Sequence, residues 1–182
     1  MSRGVILYGP PASGKDTITQ ELTRLFPECV YYRRLKVGGG RTYGYRFTTA
    51  AAVDDLVRRG LVIYENERYG NRYLVDRPYL DELFASAAIP VLHLGQIIGV
   101  KAVRRYPASW LAVLLWCPRE VSAERARARG SSDVSARIAA WDETARDIEL
   151  NGTGDFDIRI NTDQHSPGEA AQIIHDCLVK MR

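Results

Sequence analysis

The sequence has few of the residues that build disulfide frameworks, and no run that could cross a bilayer. Its 182 residues include only three cysteines, which lie far apart and form no C-x-x-C pair. A disulfide scaffold and a structural zinc site are therefore not expected, and a reducing cytoplasm is the expected compartment. Apolar runs stay well below the roughly 18 residues of a membrane helix, and the N-terminal run is too short for a signal peptide. We expect no membrane partner.

A large excess of charge of either sign is also missing. The chain has 25 Lys and Arg against 22 Asp and Glu, a formal net charge of +3. That excess is too small to indicate a nucleic-acid partner by itself. With 46% hydrophobic and 26% charged residues, the composition is typical of an ordinary globular protein. At this length a single domain over residues 1–182 is expected, and the composition gives no indication of an oligomeric state.

Short apolar runs alternate with helical patterns along most of the chain. Val5 to Tyr8 predicts a buried strand, and Lys15 to Phe26 predicts a helix with one apolar face. Such alternation favours an α/β fold with a mostly parallel sheet flanked by helices. The alternation of strand and helix patterns is interrupted between residues 41 and 76, where Gly70-Asn71 predicts a hairpin turn. We expect a small antiparallel insertion in that stretch.

A glycine-rich segment joins the first predicted strand to the first predicted helix. This is the context that a P-loop requires, because backbone N–H groups and the helix N-terminus can cradle a polyphosphate. Lys15 would reach the outer phosphates of ATP. The strict pattern has Ser or Thr after the lysine, whereas Asp16 stands here and Thr17 follows, and either oxygen could hold Mg²⁺. The predicted ATP-binding residues of this segment are Gly9, Pro11, Ala12, Ser13, Gly14, Lys15, Asp16 and Thr17.

The stretch from Tyr31 to Val53 carries five cations and no acidic residue. Tyrosines interleave with these cations. Guanidinium groups bind phosphate through forked hydrogen bonds, and phenol hydroxyls add directed donors. The stretch therefore predicts a site for a second, phosphorylated substrate, with a solvated basic face as the alternative. Its cations are Arg33, Arg34, Lys36, Arg41 and Arg46.

Arginines recur on both sides of Gly130, in two consecutive predicted helices. Phosphoryl transfer needs cations around the migrating group and exclusion of water. A glycine-hinged lid over residues 121–146 would supply both. The alternative is an exposed helix whose arginines pair with nearby glutamates. The predicted catalytic cations of the lid, which would act beside Lys15, are Arg125, Arg129 and Arg137.

Taken in order, these three parts resemble the guanylate kinase family of nucleoside monophosphate kinases, over nearly the whole chain. The family places two phosphate-binding arginines three residues apart and a tyrosine nine residues later, and Arg33, Lys36 and Tyr45 stand at those spacings. The segment Gly70-Asn71-Arg72-Tyr73 resembles its G-N-x-Y turn, whose tyrosine also holds the acceptor phosphate. Asn161 falls in a segment that resembles the loop near the adenine of ATP. The resemblance implies ATP and Mg²⁺ as cofactors.

The sequence departs from the family pattern at several positions that recognise the base of the acceptor. The base-reading Ser and Glu of the family align with Cys29 and Tyr64, although Glu65 is adjacent, and its acidic strand end aligns with His93. Losing the partners of a guanine ring costs orders of magnitude in discrimination. We therefore expect a site that binds the acceptor phosphate but lacks the usual side chains that recognise guanine. The predicted substrate-binding residues are Arg33, Lys36, Arg41, Tyr45, Glu65, Tyr73 and His93.

Together these features predict an ATP-dependent phosphotransferase that acts on the phosphate of a small acceptor, a nucleoside monophosphate or a modified analogue. The core would take residues 1–30, 77–120 and 147–182, and an insertion at 31–76 would bind the acceptor. One alternative is a sugar-phosphate kinase, because the Gly-Lys-Asp variant also resembles ribose bisphosphate kinases. The other is a non-catalytic guanylate-kinase-like module that binds a phosphorylated protein. The surviving Gly14-Lys15 pair argues against that module.

Overall fold

Strands and helices alternate through the computed structural model, which describes residues 2–40, 42–68, 70–128, 130 and 134–181. The strands are β1 (Arg3–Tyr8), β2 (Cys29–Tyr31), β3 (Arg34–Val37), β4 (Tyr45–Phe47), β5 (Val62–Arg68), β6 (Asn71–Asp76), β7 (Ile89–Leu94), β8 (Ser109–Trp116) and β9 (Ile158–Asn161). The helices are α1 (Lys15–Leu25), α2 (Ala50–Arg58), α3 (Arg77–Ala85), α4 (Ile97–Arg104), α5 (Arg119–Ala128), α6 (Val134–Asn151) and α7 (Pro167–Lys180). Within these ranges, none of the helices combines the length and the apolar character that crossing a membrane requires.

Five strands form a parallel sheet in the order β2-β7-β1-β8-β9. Both faces of this sheet are covered. One face packs against α3 and α4, and the other packs against α1 and α7. Strands buried on both faces must be apolar along most of their length, as β1 and β8 are. The predicted α/β fold with a parallel sheet flanked by helices is confirmed.

The carboxyl ends of the parallel strands define the edge where a ligand is expected. In open α/β sheets, ligands bind in the crevice outside those ends. Four segments meet there: the glycine-rich segment after β1, the residues after β7, the residues after β8 and the residues after β9. The sequence motifs that follow these strands are therefore brought to one side of the molecule.

The insertion forms a second sheet in the order β4-β3-β6-β5. Its β3, β5 and β6 pair antiparallel, but β4 pairs parallel with β3. The expectation of a purely antiparallel insertion is therefore corrected to a mixed sheet. The chain returns to the start of β3 before β4 begins, so Arg34 at the start of β3 pairs with Tyr45 at the start of β4.

The two faces of the insertion sheet differ in chemistry. Leu35 and Leu74 pack with Val53 of α2 in a small apolar cluster. Because successive side chains of a strand alternate between faces, Arg34 and Lys36 project from the opposite face. The cross-strand pairs give that face Tyr45, Phe47, Asn66 and Tyr73 as well. We call these six residues, Arg34, Lys36, Tyr45, Phe47, Asn66 and Tyr73, the cationic face.

A buried carboxylate ties the insertion to the core. Asp76 lies between β6 and α3 with only 3% of its surface exposed. It accepts hydrogen bonds from the Tyr32 hydroxyl at 3.0 Å and from the Tyr79 backbone N–H at 3.1 Å, and it pairs with the Arg46 guanidinium. The sequence indicates Asp76 as the cap of a helix with Pro78 in its first turn, and the structure confirms that role.

Candidate functional site

The glycine-rich segment forms a tight loop between β1 and α1. Ala12 and Gly14 adopt the left-handed conformation, with φ angles of 58° and 91°. A Cβ at Gly9 would lie 2.2 Å from the Leu115 carbonyl oxygen, so this position has room only for glycine. Ser13 is fully buried inside the loop. The loop therefore has the close turn and the helix N-terminus that an anion-binding loop uses.

Lys15 lies across the curve of this loop. Its Nζ donates to the carbonyl oxygens of Gly9 at 2.6 Å and Pro10 at 2.8 Å, and it is 3.3 Å from the Ser13 Oγ. The ammonium group is thus at the carboxyl edge of the sheet, within the loop that the sequence predicts to cradle phosphates. Lysine acts there as a point charge that can move between the carbonyls and an anionic ligand.

Helix α5 braces the loop from outside. The Ser122 hydroxyl donates to the Pro11 carbonyl at 2.8 Å. The Arg125 guanidinium donates to the Ala12 carbonyl at 3.2 Å and to the hydroxyl and carbonyl oxygens of Thr162 at 3.0 and 2.6 Å. Arg125, predicted as a lid cation, is therefore bound to the phosphate loop and to the segment after β9. No sequence signal pointed to Ser122, whereas Thr162 belongs to the segment that resembles the loop near adenine.

A cavity of about 220 Å³ opens between the loop and the segment after β9. Thr162 and His165 line it, whereas Asn161, the residue predicted to lie near adenine, is not among its lining residues. The Asn161 side chain instead accepts a hydrogen bond from Arg159 at 3.1 Å. The full lining is Gly14, Thr17, Ile18, Arg125, Thr162, His165 and Pro167. This mixed polar and apolar cavity, beside the phosphate loop, suits the nucleoside part of ATP.

The two candidate metal ligands point in different directions. Thr17 lines the cavity described above, whereas the Asp16 carboxylate lies 3.6 Å from the His93 Nδ1 at the end of β7. Mg²⁺ is commonly held by one or two carboxylates together with the phosphates of the substrate. Within the described ranges, no group of three or more His, Cys, Asp and Glu side chains forms a ready-made metal site. Asp16 offers a carboxylate and Thr17 a hydroxyl as an oxygen ligand for a metal that arrives with a nucleotide.

Substituting each of these two candidate ligands in turn should separate their roles. Asp16→Asn is expected to raise the Mg²⁺ concentration that half-saturates ATP binding by about tenfold, because it removes the only charged donor of the pair. Thr17→Ala is expected to change that concentration less than about twofold. Calorimetric titration of Mg²⁺ at fixed ATP measures both values without relying on turnover. A larger effect at Thr17 would assign the metal to the hydroxyl instead.

His93 connects the phosphate loop to the insertion. Its Nε2 is 2.7 Å from the Thr19 hydroxyl on α1, and its ring centroid is 4.7 Å from that of Tyr31 at the end of β2. A Cβ on Gly44, the residue before β4, would lie 3.2 Å from the Tyr31 hydroxyl. His93 is therefore placed beside Asp16, between the loop and the insertion, and not within the cationic face.

The structure brings together three of the predicted acceptor-binding residues. Lys36 is only 1% exposed, and its Nζ lies 5.3 Å from the ring centroid of Tyr45 and 5.7 Å from that of Tyr73. The two tyrosine rings are 5.3 Å apart. The Lys36 ammonium also donates to the Gly39 carbonyl at 2.5 Å. The spacing in the sequence thus identified a real cluster, in which one buried cation is surrounded by phenol rings.

Other predicted residues lie elsewhere. Arg33 is exposed, one residue before β3 begins, and Arg137 lies near the start of α6. Glu65 is on the α2 side of the insertion sheet, where it accepts a hydrogen bond from Arg72 at 2.6 Å. Its carboxylate therefore faces away from Lys36, because neighbouring residues of a strand point to opposite faces. The predictions for Arg41 and Arg129 fall outside the described residues.

The positions aligned with the guanine readers are buried. Cys29 is 2% exposed in the core, where burial raises the pKa of its thiol to about 12. Tyr64 is 8% exposed; its hydroxyl donates to the Gln96 side chain and its ring packs on Gly99. Neither side chain offers a charged acceptor to a purine. The geometry of these two positions agrees with the expected loss of a standard guanine reader.

Arg34 belongs to the cationic face, although the sequence analysis counted it only among the basic residues. Its Nη2 donates to the Asn66 side-chain oxygen at 2.5 Å and to the Tyr73 carbonyl at 2.8 Å. Burial holds the pKa of this guanidinium below its ordinary value. Arg34 and Lys36 are two residues apart, so they share a face of any strand that contains both. This spacing would have indicated Arg34 if the start of β3 had been known from the sequence.

Whole-chain comparison identifies relatives that are named guanylate kinase. The guanylate kinase of Thermobifida fusca is 33% identical over 171 residues, which cover 90% of this chain and 85% of that protein. The chain belongs to the guanylate kinase family. A second guanylate kinase, from a Nostoc species, is 27% identical over 165 residues, which cover 87% of this chain and 81% of the relative. No family model matches the sequence.

Solved structures agree with this family at the level of the fold. A guanylate kinase from Anaplasma phagocytophilum superimposes with a TM-score of 0.68 at 18% identity, covering 98% of this chain and 85% of that chain. The shikimate kinase of Acinetobacter baumannii shares the fold with a TM-score of 0.54 at 15% identity, covering 100% and 97%. The family and the kinase assignment predicted from the sequence are confirmed, and this member of the guanylate kinase family has the P-loop kinase fold.

Proposed function

We propose that the chain transfers the γ-phosphoryl group of ATP to the phosphate of a small acceptor, a nucleoside monophosphate or a modified analogue of one. The supporting observation is that two anion-binding arrangements are joined by contacts. The phosphate loop reaches His93 through Asp16 at 3.6 Å, and His93 contacts Tyr31 beside the insertion. An ATP phosphate held by the loop and an acceptor phosphate held by the cationic face would therefore meet across His93.

The proposed reaction needs no nucleophilic side chain. An oxygen of the acceptor phosphate attacks the γ-phosphorus of ATP, the bond to the β–γ bridging oxygen breaks, and ADP leaves. Catalysis of such a transfer consists of positioning and charge stabilisation. Lys15 and the loop amides would hold the ATP phosphates, while Lys36, Tyr45 and Tyr73 would hold the acceptor phosphate. Mg²⁺, when bound, would neutralise charge on the transferred group, and Asp16 would orient it.

The proposal assigns acceptor binding to residues 31–76 and closure to residues 121–146. One contact between the two regions supports this division. Arg68 at the end of β5 forms an ion pair with Glu143 of α6 at 2.9 Å. The insertion and the proposed lid are therefore in contact, and a closed arrangement of the two would exclude water from the transfer.

A sugar phosphate is the second candidate acceptor. The observation that favours it is the burial of Cys29 and Tyr64 together with the outward turn of Glu65. A site without a base reader accepts a smaller phosphorylated compound as readily as a nucleotide. The loop geometry and Lys15 support a kinase over a binding module, because a module that binds a phosphorylated protein has no use for a second anion-binding loop.

A coupled assay for ADP release tests the proposal. Mg²⁺·ATP would be offered with GMP, dGMP, AMP, CMP, UMP, IMP and ribose bisphosphate, one at a time. We expect turnover with at least one nucleoside monophosphate and no strong selection for GMP. Turnover with ribose bisphosphate alone would move the assignment to the second candidate. ATP that fails to bind in calorimetry, together with no turnover, would contradict a kinase function.

A further inference from the structure

The cationic face contains a second cation that alignment by spacing did not select. The family spacing points to Arg33, but β3 begins one residue later, at Arg34. Arg34 and Lys36 therefore share a face, whereas Arg33 is exposed and its carbonyl oxygen accepts a hydrogen bond from Arg46 at 2.8 Å. Neighbouring residues of a strand point to opposite faces, so a shift of one residue in the assignment places a side chain on the other face. The backbone thus presents Arg34, and not Arg33, to the acceptor site.

The guanidinium of Arg34 is incompletely satisfied. Its Nη2 has two acceptors, but its Nε is buried and has no hydrogen-bond partner within the described part of the chain. No carboxylate in that part forms an ion pair with Arg34 either, since its two acceptors are an amide oxygen and a backbone carbonyl. The large majority of buried side-chain polar atoms have a hydrogen-bond partner, and a buried cation without a counter-ion is costly. This combination indicates a place for an anion.

The surroundings of Arg34 hold the cation without providing a negative charge. The rings of Tyr64 and Tyr73 each lie 5.6 Å from its Cζ. Aromatic faces attract a cation but use none of its N–H donors. Tyr73 also lies 5.7 Å from the Lys36 Nζ, so one ring contacts both cations. The two positive charges therefore share one aromatic neighbour, and a single dianion bound beside that ring would balance both.

We propose that Arg34 is the second acceptor-binding cation, which grips a phosphate monoester dianion together with Lys36, and that Arg33 has no part in this grip. This inference rests on the proposed function for its reaction, but it specifies the residue and the charge state of the group that the site receives. A phosphate monoester carries close to two negative charges at neutral pH. A phosphodiester or a carboxylate carries only one, and it would leave one of the two cations unbalanced.

Adjacent arginines provide matched variants. Arg34→Met is expected to raise the KM for the best acceptor of the ADP-release panel at least tenfold, with the calorimetric Kd for ATP changed less than about twofold. Arg33→Met is expected to leave both constants within about twofold. Arg34→Lys, which restores the charge, should recover part of the loss. A normal KM in Arg34→Met, or an equal rise in Arg33→Met, would overturn the inference.

Thermal protection by inorganic phosphate gives a second readout that does not depend on turnover. With saturating ADP filling the phosphate loop, phosphate should raise the Tm of the wild type and of Arg33→Met, but not that of Arg34→Met. If Arg34→Met does not fold, the comparison of Arg34→Lys with Arg33→Lys replaces it, and protection that is weaker only in Arg34→Lys supports the inference. Equal protection in both variants overturns it. Protection that depends on Arg34, while no panel compound turns over and ATP does not bind in calorimetry, would uphold this inference and reject the proposed function.

Discussion

Replacing Lys15 by methionine is expected to lower the turnover number by about 10³-fold or more while the fold is retained. The lysine is the one cation inside the phosphate loop in this structure's described residues, with its Nζ 2.6 Å from the Gly9 carbonyl. Removing a single preorganised donor from a charge-stabilising site costs about 10²–10³-fold, and a cation on a transferring phosphoryl group costs about 10³–10⁵-fold. Methionine keeps the length of the side chain but has no positive charge.

The control for this variant is Lys180→Met, at the exposed end of α7. It makes the same chemical change far from the phosphate loop, so its turnover should equal that of the wild type. Circular dichroism and the Tm would establish that both variants fold, since the hydrogen bonds lost by Lys15→Met are worth only about 1 kcal/mol each. Near-normal turnover in a folded Lys15→Met would remove the loop from the mechanism.

Asp76→Ala is expected to lower the free energy of unfolding by about 3 kcal/mol. The substitution removes the carboxylate that the Tyr32 hydroxyl and the Arg46 guanidinium share, and with it the cap of α3. The Tyr32 hydroxyl keeps the Asp76 backbone carbonyl as an acceptor, and the Arg46 Nε keeps the Arg33 carbonyl. Breaking one partner of a buried ion pair costs about 3–5 kcal/mol. The lower end applies here because the Arg46 side chain is 26% exposed and can be hydrated after the loss. Urea denaturation would measure the change.

Asp55→Ala is the matched control for that prediction. Asp55 is on α2 of the same insertion, and its side chain is 45% exposed, where it pairs with Arg58 and Arg59. Surface pairs of this kind contribute less than about 1 kcal/mol. An unfolding free energy that falls equally in the two variants would mean that the Asp76 network does not hold the insertion to the core.

Local signals explain what the sequence predicted well. The apolar run of β1 is followed at once by glycines and by a helix pattern, and both the strand and the tight loop follow from those few residues. Gly70 adopts a left-handed conformation, with a φ angle of 69°, in the hairpin that joins β5 to β6. These features depend on backbone conformations that only certain residues accept, and they can be read without knowing the tertiary structure.

Strand register explains why the sequence did not indicate which side chains of the insertion share a face. The family spacing favoured Arg33, and the position beside Tyr64 favoured Glu65, but each is one residue from a member of the cationic face: Arg34 in the first case and Asn66 in the second. Side chains in a strand alternate with a period of two, so an error of one residue reverses the face. The boundary of a four-residue strand such as β3 cannot be read that finely from its composition.

Long-range contacts explain the position of Arg125. Its place in a run of arginines before Gly130 predicts a lid cation. In the structure it binds Ala12 and Thr162, which are 113 and 37 residues away along the chain. Only the order of the parallel strands brings these three segments together, and that order is a tertiary property which no local pattern contains.

Phosphorus NMR of the product tests the central claim most directly, because it identifies the atom that receives the phosphoryl group. The acceptor that releases most ADP in the panel would be converted with Mg²⁺·ATP, and its product would be separated from ADP and ATP. Transfer to a phosphate predicts two mutually coupled resonances from a new P–O–P linkage. Uncoupled phosphomonoester signals would show transfer to a hydroxyl group, and inorganic phosphate alone would show hydrolysis of ATP. Either of these results would contradict the account.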